Sequence, residues 1–237
     1  MAPHPQQPQP SLLNRLTTLD KHLSLTLYTL TSSILPHSLL KLLEFLGDGR
    51  LFFPLILSTL AISSQLLPIY PFLVNLLIGS VLDLILIGSI KHIVQRPRPV
   101  YNKNMSLVFD VDHWSFPSGH SSRVCFIAGL VCLSDVGIVY LVYDFEMLKI
   151  GVCVWAGVTS ISRVLLGRHY VFDVVVGACL GVFEAVAVIC FLNYEKLASV
   201  WADGLSKKYK FWTTAKVWVL FGKNNWRMPD YALLYAK

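Results

Sequence analysis

The chain has 237 residues, is 54% hydrophobic and 14% charged, and has a mean hydropathy of +0.58. These values exclude an ordinary soluble domain and allow one membrane domain of five or six helices, at about 20 residues per span plus loops. The net charge of +6 gathers near the ends of apolar segments, so anionic lipid or phosphate groups are the expected partners and nucleic acid is not.

Residues 2–10 (APHPQQPQP) are rich in proline and glutamine and are expected to be disordered. No apolar run follows a basic start, so a cleaved signal peptide is not expected. Between residues 11 and 35, Leu12, Leu16, Leu19, Leu23, Leu27 and Leu30 repeat at helical spacing, interrupted by Arg15, Asp20 and Lys21. That pattern suits a helix lying in the membrane interface; a span over residues 23–35 is the alternative. A second short amphipathic turn, Ser38 to Leu46, stops at Gly47-Asp48-Gly49. Residues 11–50 are therefore read as interfacial helices.

The first core span runs from Leu51 to Leu67 and returns at Pro68-Ile-Tyr-Pro71. The second, Phe72 to Val94, carries Asp83 in its middle, where an ionisable group must face protein and find a polar partner on another helix. Pro97 and Pro99 end it and leave Arg96 and Arg98 in water. A third span starts near Ser121, and Glu146 and Lys149 bracket the turn into a fourth, Ile150 to Leu166. The fifth runs from Tyr170 to Leu192, with Gly177 and Gly181 giving a small face for close packing and Glu184 buried deep. All five cysteines lie in apolar segments without paired spacing, so buried, small apolar side chains are expected rather than disulfides or a zinc site. The tail, residues 193–237, is basic and aromatic and suits the membrane surface. The fold class is thus an all-α, polytopic membrane helix bundle of five spans, or six if residues 23–35 cross, with a core over residues 51–192.

Counting crossings brings three polar clusters to one face. Lys91 and Arg98 are two cations at a proline-broken helix end. Ser118 and Gly119 precede a helix N-terminus, where free amides and the helix dipole favour an anion, and His120 follows as a proton donor. Arg163 adds a planar charge suited to phosphate oxygens. His169 and Asp173 stand four apart, so the carboxylate can take one ring proton and leave the other nitrogen as a base or nucleophile. Taken singly, these are interfacial anchors, a helix cap and helix-end histidines. Jointly, three cations, an anion-binding turn and two histidines on one face argue for a shared site.

Lys91-x6-Arg98-Pro99, Pro117-Ser-Gly-His120 and Ser162-Arg163-x5-His169-x3-Asp173 resemble the tripartite signature of the type-2 phosphatidic acid phosphatase superfamily. The longer strings Val111-Asp-His-Trp-Ser-Phe-Pro-Ser-Gly-His120 and Ser162-Arg-Val-Leu-Leu-Gly-Arg-His169 are similar to its polyisoprenoid diphosphate phosphatase and plant lipid phosphate phosphatase beta branch. The resemblance implies metal-independent hydrolysis through a phosphohistidine, with no cofactor. His169 would be the nucleophile oriented by Asp173, and His120 the acid and then the base. Lys91, Arg98, Arg163, Ser118 and Gly119 would hold the phosphate. One histidine neutral and one protonated predicts a bell-shaped pH profile, whereas strong inhibition by a chelator would point to a metal held by the histidines and Asp173. The expected substrate is a polyisoprenoid diphosphate of farnesyl or geranylgeranyl type, with phosphatidic acid or sphingoid phosphates as the alternative. A non-enzymatic membrane scaffold or lipid-binding protein is the reading from another class. The branch resemblance also implies the endoplasmic reticulum or another endomembrane. With five spans, the basic tail would put the site on the lumenal rather than the cytosolic side by the positive-inside rule, and modification of the Asn104-Met-Ser106 glycosylation sequon would mark that side.

Overall fold

The computed structural model describes residues 11–32, 34–63, 69–101, 113–134 and 145–204. The expected disorder of residues 2–10, the Pro68 side of the first return, the Asn104 sequon and the tail beyond residue 204 fall outside them. Seven helices follow in order: α1 (Leu12–Ser32), α2 (His37–Leu46), α3 (Gly49–Ile62), α4 (Tyr70–Val94), α5 (Gly119–Leu133), α6 (Phe145–Leu165) and α7 (Val171–Phe191).

The expected all-α membrane bundle is what the chain forms. Among the described residues, α4, α6 and the stretch beginning at Val171 are long and apolar enough to cross a bilayer. The pair α2–α3, bent by 40° at its break, would form a fourth crossing if taken as one broken span. α5 is a shorter apolar helix of 15 residues. Glu146 and Lys149 do not precede the fourth core helix but lie in its first turns, 2.9 Å apart as an ion pair. A charged pair costs little there because it sits at the helix end.

α5 is the central element and packs on α4, α6 and α7. Phe126 and Leu130 are fully buried with Ala185 and Val188 of α7, while Val124 and Ala128 pack against Ala156 of α6. The α5–α7 contact depends on small residues. A side chain on Gly177 would meet the Ser118 carbonyl, and one on Gly181 the Ser122 carbonyl, so the two backbones approach closely only with glycine there.

Polarity runs inside out relative to a soluble protein. Asn75, Ser80 and Asp83 of α4, Arg123 of α5 and Glu184 of α7 are buried, while Leu84, Ile85, Ile161, Val175 and Phe183 are exposed on the outer faces. That is the arrangement a hydrocarbon solvent favours. Asp83 finds the partner expected of it, the Arg123 guanidinium at 3.2 Å. The cysteines differ from expectation: all are free, but Cys153, Cys179 and Cys190 are exposed, an outward position that a thiol tolerates where the surroundings are apolar. Residues 194–204 belong to a second unit and form a short helix exposing Val200 and Trp201.

Candidate active site

The site is built from broken helix ends. α4 stops at Gln95, whose left-handed conformation (φ 50°) lets its amide bond the Lys91 carbonyl at 3.0 Å. The chain then runs antiparallel to Trp114-Ser115: Pro97 bridges Trp114, and the Ser115 amide donates to the Arg96 carbonyl at 2.8 Å. Beside this segment, α6 closes on itself. The Arg163 carbonyl accepts the amides of Arg168 (2.9 Å) and His169 (3.2 Å). Gly167 makes that closure possible, because its φ is +69° and a side chain there would lie 2.8 Å from the Tyr101 ring.

This turn delivers His169 into the interior, 2% exposed. Its Nδ1 donates to the Ser115 carbonyl oxygen at 2.7 Å. A carbonyl can only accept, so the proton lies on Nδ1 and the lone pair on Nε2. Nε2 lies 3.3 Å from Nη1 of Arg98, which also donates to the Arg168 carbonyl at 2.8 Å. Burial holds the His169 pKa well below that of free imidazole, and the nearby Arg98, Arg163 and Lys91 charges push it the same way.

Asp173 is not the proton acceptor that the H-x-x-x-D spacing suggests. Its Oδ2 lies 3.8 Å from His169 Nδ1, beyond a hydrogen bond. Instead, Oδ2 accepts the Tyr170 amide at 2.9 Å and Oδ1 pairs with Arg96 at 2.6 Å. The physical reason is register: α7 begins at Val171 behind an extended Tyr170 (ψ 162°), so His169 is not on the helix and does not share its face. Asp173 closes the first turn of α7 in a capping box.

Arg96, which helix-end anchoring would send to water, binds Asp173 and also Asp20 of α1 at 2.7 Å, and its guanidinium lies 4.1 Å over the Tyr170 ring. Asp20 accepts the Phe172 amide at 3.0 Å and Ser24 the Val171 amide at 2.9 Å. α1 therefore supplies acceptors to the exposed N–H groups opening α7. The leucine pattern gave α1 an interfacial role and hid this one.

Ser118 is fully buried at the N-cap of α5. Its amide is not free for an anion, because it donates to the Asp173 carbonyl at 2.9 Å and ties α5 to α7. Its hydroxyl oxygen accepts from the Ser121 hydroxyl at 3.1 Å. Gly119 opens the helix beside Ile87. Nε2 of His120 is buried without a hydrogen-bond partner among the described residues, and His120 lies within electrostatic reach of Arg163, Arg123, His169 and Lys91. Lys91 and Arg163 thus act on both imidazoles. Arg163 is fully buried and pairs with Glu44 of α2 at 2.9 Å. The three clusters placed on one face by span counting do converge at one end of the bundle.

Residues 72–197 match the PAP2 superfamily. The chain is also 38% identical over 201 residues to a probable lipid phosphate phosphatase beta of Arabidopsis thaliana, a match that spans 77% of this chain and 92% of that one. The chain belongs to the PAP2 superfamily. Two solved structures share its fold. The transmembrane PAP2 type phosphatidylglycerolphosphate phosphatase of Bacillus subtilis superposes with a TM-score of 0.61, at 24% identity over 75% of this chain and 86% of that one. Aquifex aeolicus LpxE gives a TM-score of 0.53, also at 24% identity, over 71% of this chain and 96% of that one.

Within this PAP2 chain, Ser115, Arg96, Asp20 and Glu44 join the site without having been singled out in the sequence. Ser115 acts through its backbone, which no residue type announces. Glu44 and Asp20 lie in helices whose strong leucine periodicity points to the membrane surface.

Proposed function

We propose that this PAP2 protein is an integral-membrane lipid phosphate phosphatase whose substrates are polyisoprenoid diphosphates and monophosphates. The observation that carries the reading is His169 itself: a buried imidazole with its proton held on Nδ1 by a carbonyl and its Nε2 beside a guanidinium. A neutral imidazole with a fixed tautomer is a nucleophile, and the cations around it suit a phosphate rather than a neutral ester.

In this mechanism the Nε2 lone pair of His169 attacks phosphorus and the bond to the leaving oxygen breaks. His120 gives that oxygen its proton. Water then attacks the phosphohistidine, losing its proton to His120, and the phosphorus–nitrogen bond breaks to regenerate His169. Lys91, Arg98 and Arg163 neutralise the non-bridging oxygens, with Ser118 and Gly119 fixing the start of α5 beside them. Arg98 lies 3.3 Å from Nε2, close enough to meet the oxygens of a phosphate that this nitrogen attacks. Asp173 acts at one remove, holding Arg96 and the first turn of α7.

Support for the lipid substrate is positional: the cations cluster at one end of an apolar bundle, where a headgroup meets them while its tail stays in hydrocarbon. The lipid phosphate phosphatase name of the Arabidopsis relative points the same way. The polyisoprenoid preference and an endomembrane location rest on the resemblance of the longer motif strings, and a lumenal site on the basic tail and the positive-inside rule.

Phosphate release by the purified protein tests the reading, using farnesyl diphosphate, geranylgeranyl diphosphate, phosphatidic acid and a sphingoid phosphate, with and without a chelator. Preference for the first two and loss of about three orders of magnitude or more in His169→Ala are expected. Preference for phosphatidic acid or the sphingoid phosphate moves the enzyme to the broader class. Chelator-sensitive turnover overturns the metal-free mechanism, and absence of turnover on every substrate overturns the enzyme.

A further inference from the structure

Arg163 poses a charge problem that the phosphate alone does not solve. Its side chain is fully exposed to nothing but protein, at 0% accessibility, in the last turn of α6. A buried guanidinium needs a counter-charge whether or not substrate is bound. The carboxylate that supplies it is on α2, outside the three motifs: Oε1 of Glu44 lies 2.9 Å from Nη1 of Arg163. The same oxygen lies 3.3 Å from Nε of Arg168. Arg168 in turn offers its carbonyl to Arg98 at 2.8 Å. Glu44 therefore pairs directly with Arg163, one of the two arginines that the mechanism places on the phosphate, and reaches the other, Arg98, only by way of Arg168.

The rest of the Arg163 guanidinium faces no protein acceptor. Nε and Nη2, like Nη1, are buried without a hydrogen-bond partner among the described residues, so Nη1 meets Glu44 as an ion pair and the other two nitrogens have no counter-charge within ion-pair distance there. Guanidinium is planar, so an anchor at Nη1 also fixes where the other N–H groups point.

The approach of α2 is itself built in. α2 ends at Gly47, and a side chain there would lie 2.8 Å from Thr159 Cγ2 and 3.4 Å from the His120 ring. Glycine at this break lets the end of α2 press against α5 and α6, and Asp48 then starts α3 by accepting the Arg50 amide at 2.9 Å. The Gly-Asp-Gly break is thus a wall of the site as well as a helix stop.

We propose that Glu44 is a positioning residue for hydrolysis: it anchors Arg163 at one nitrogen so that the remaining N–H groups of that guanidinium meet the transferring phosphate. The proposal rests on the phosphatase reading. It treats Glu44 as a bystander to bond making and breaking, and as the reason Arg163 is ready before substrate arrives.

The test is a mutant cycle on the full chain in detergent, with turnover of farnesyl diphosphate and the dissociation constant of orthovanadate, a phosphate mimic, as separate readouts. Glu44→Gln keeps the shape and removes the charge; it is expected to lower kcat/KM by about tenfold or more, chiefly through kcat, and to weaken vanadate. Glu44→Gln combined with Arg163→Ala is expected to be no worse than Arg163→Ala alone. Glu44→Asp keeps the charge but withdraws it by a methylene, so anchoring requires it to behave like Glu44→Gln, whereas simple charge balance would restore it to wild type. Wild-type behaviour of Glu44→Gln or Glu44→Asp, or multiplying losses in the double variant, overturns the proposal. If Glu44→Gln does not fold, the same comparison is made with Glu44→Asp. A wild-type protein that neither hydrolyses nor binds vanadate overturns the phosphatase reading instead.

Discussion

The ring proton of His169 is held on Nδ1 by a backbone carbonyl rather than by a carboxylate. Ser115 accepts the Nδ1 proton at 2.7 Å while Asp173 stands 3.8 Å away, so the tautomer survives loss of the carboxylate. What Asp173 does hold is Arg96. Asp173→Asn should therefore weaken the fold as well as the reaction: removing one partner of a buried ion pair costs about 3–5 kcal/mol, discounted here because Arg96 is slightly exposed. Unfolding in detergent should show the loss, and Arg96→Ala should cost more, because it also breaks the pair with Asp20 and the contact with the Tyr170 ring. The acid limb offers a second check. Because the His169 pKa lies well below the ordinary imidazole value, the ring is neutral through mildly acidic pH, and kcat/KM should hold until pH falls below the usual histidine range. Arg98→Ala removes a cation that depresses this pKa, so the acid limb should move to higher pH. The stability sign agrees. An unfolded chain binds this proton more readily, so the contribution of neutral His169 is complete above the unfolded pKa and declines as pH falls toward the folded one.

Among the elements, α5 and α7 carry the site between them, and their glycines set its dimensions. Gly177 abuts the Ser118 carbonyl at the N-cap of α5, whereas Gly88 on α4 has open space around its Cα. Gly177→Ala should displace the start of α5, costing about 1–3 kcal/mol by overpacking and a larger share of activity than of stability. Gly88→Ala, the control, should leave both intact. The close packing was legible in the sequence because Gly-x-x-x-Gly on an apolar helix has few other uses. The core helices were legible too, since apolar runs in hydrocarbon have to be helical. What the sequence concealed was attachment. Asp20, Glu44 and Arg96 look like surface charges on amphipathic or proline-broken stretches, and only the meeting of α1, α2 and α7 turns them into partners. Periodicity reports which face of a helix is apolar; it does not report which distant carboxylate a buried arginine will find.

On the scale of the whole molecule, the bundle keeps its polar groups inside at a cost that is uneven. Asp83 pairs with Arg123 at 3.2 Å, while both carboxylate oxygens of Glu184 lack a hydrogen-bond partner among the described residues. The two acids therefore should not respond alike. Asp83→Ala should destabilise by about 3 kcal/mol or more, because it strands a buried guanidinium. Glu184→Gln should be neutral or stabilising, because it removes a carboxylate that no neighbour satisfies. Thermal unfolding of the two variants in the same detergent decides the point. The contact of Asp20 and Ser24 with the opening amides of α7 has a further consequence for how the protein is made. α1 leaves the ribosome well before α7 does, yet the two close the centre together. A nascent chain halted anywhere before α7 carries an unfinished pocket, and catalysis begins only once the late helix has inserted and docked against the early one.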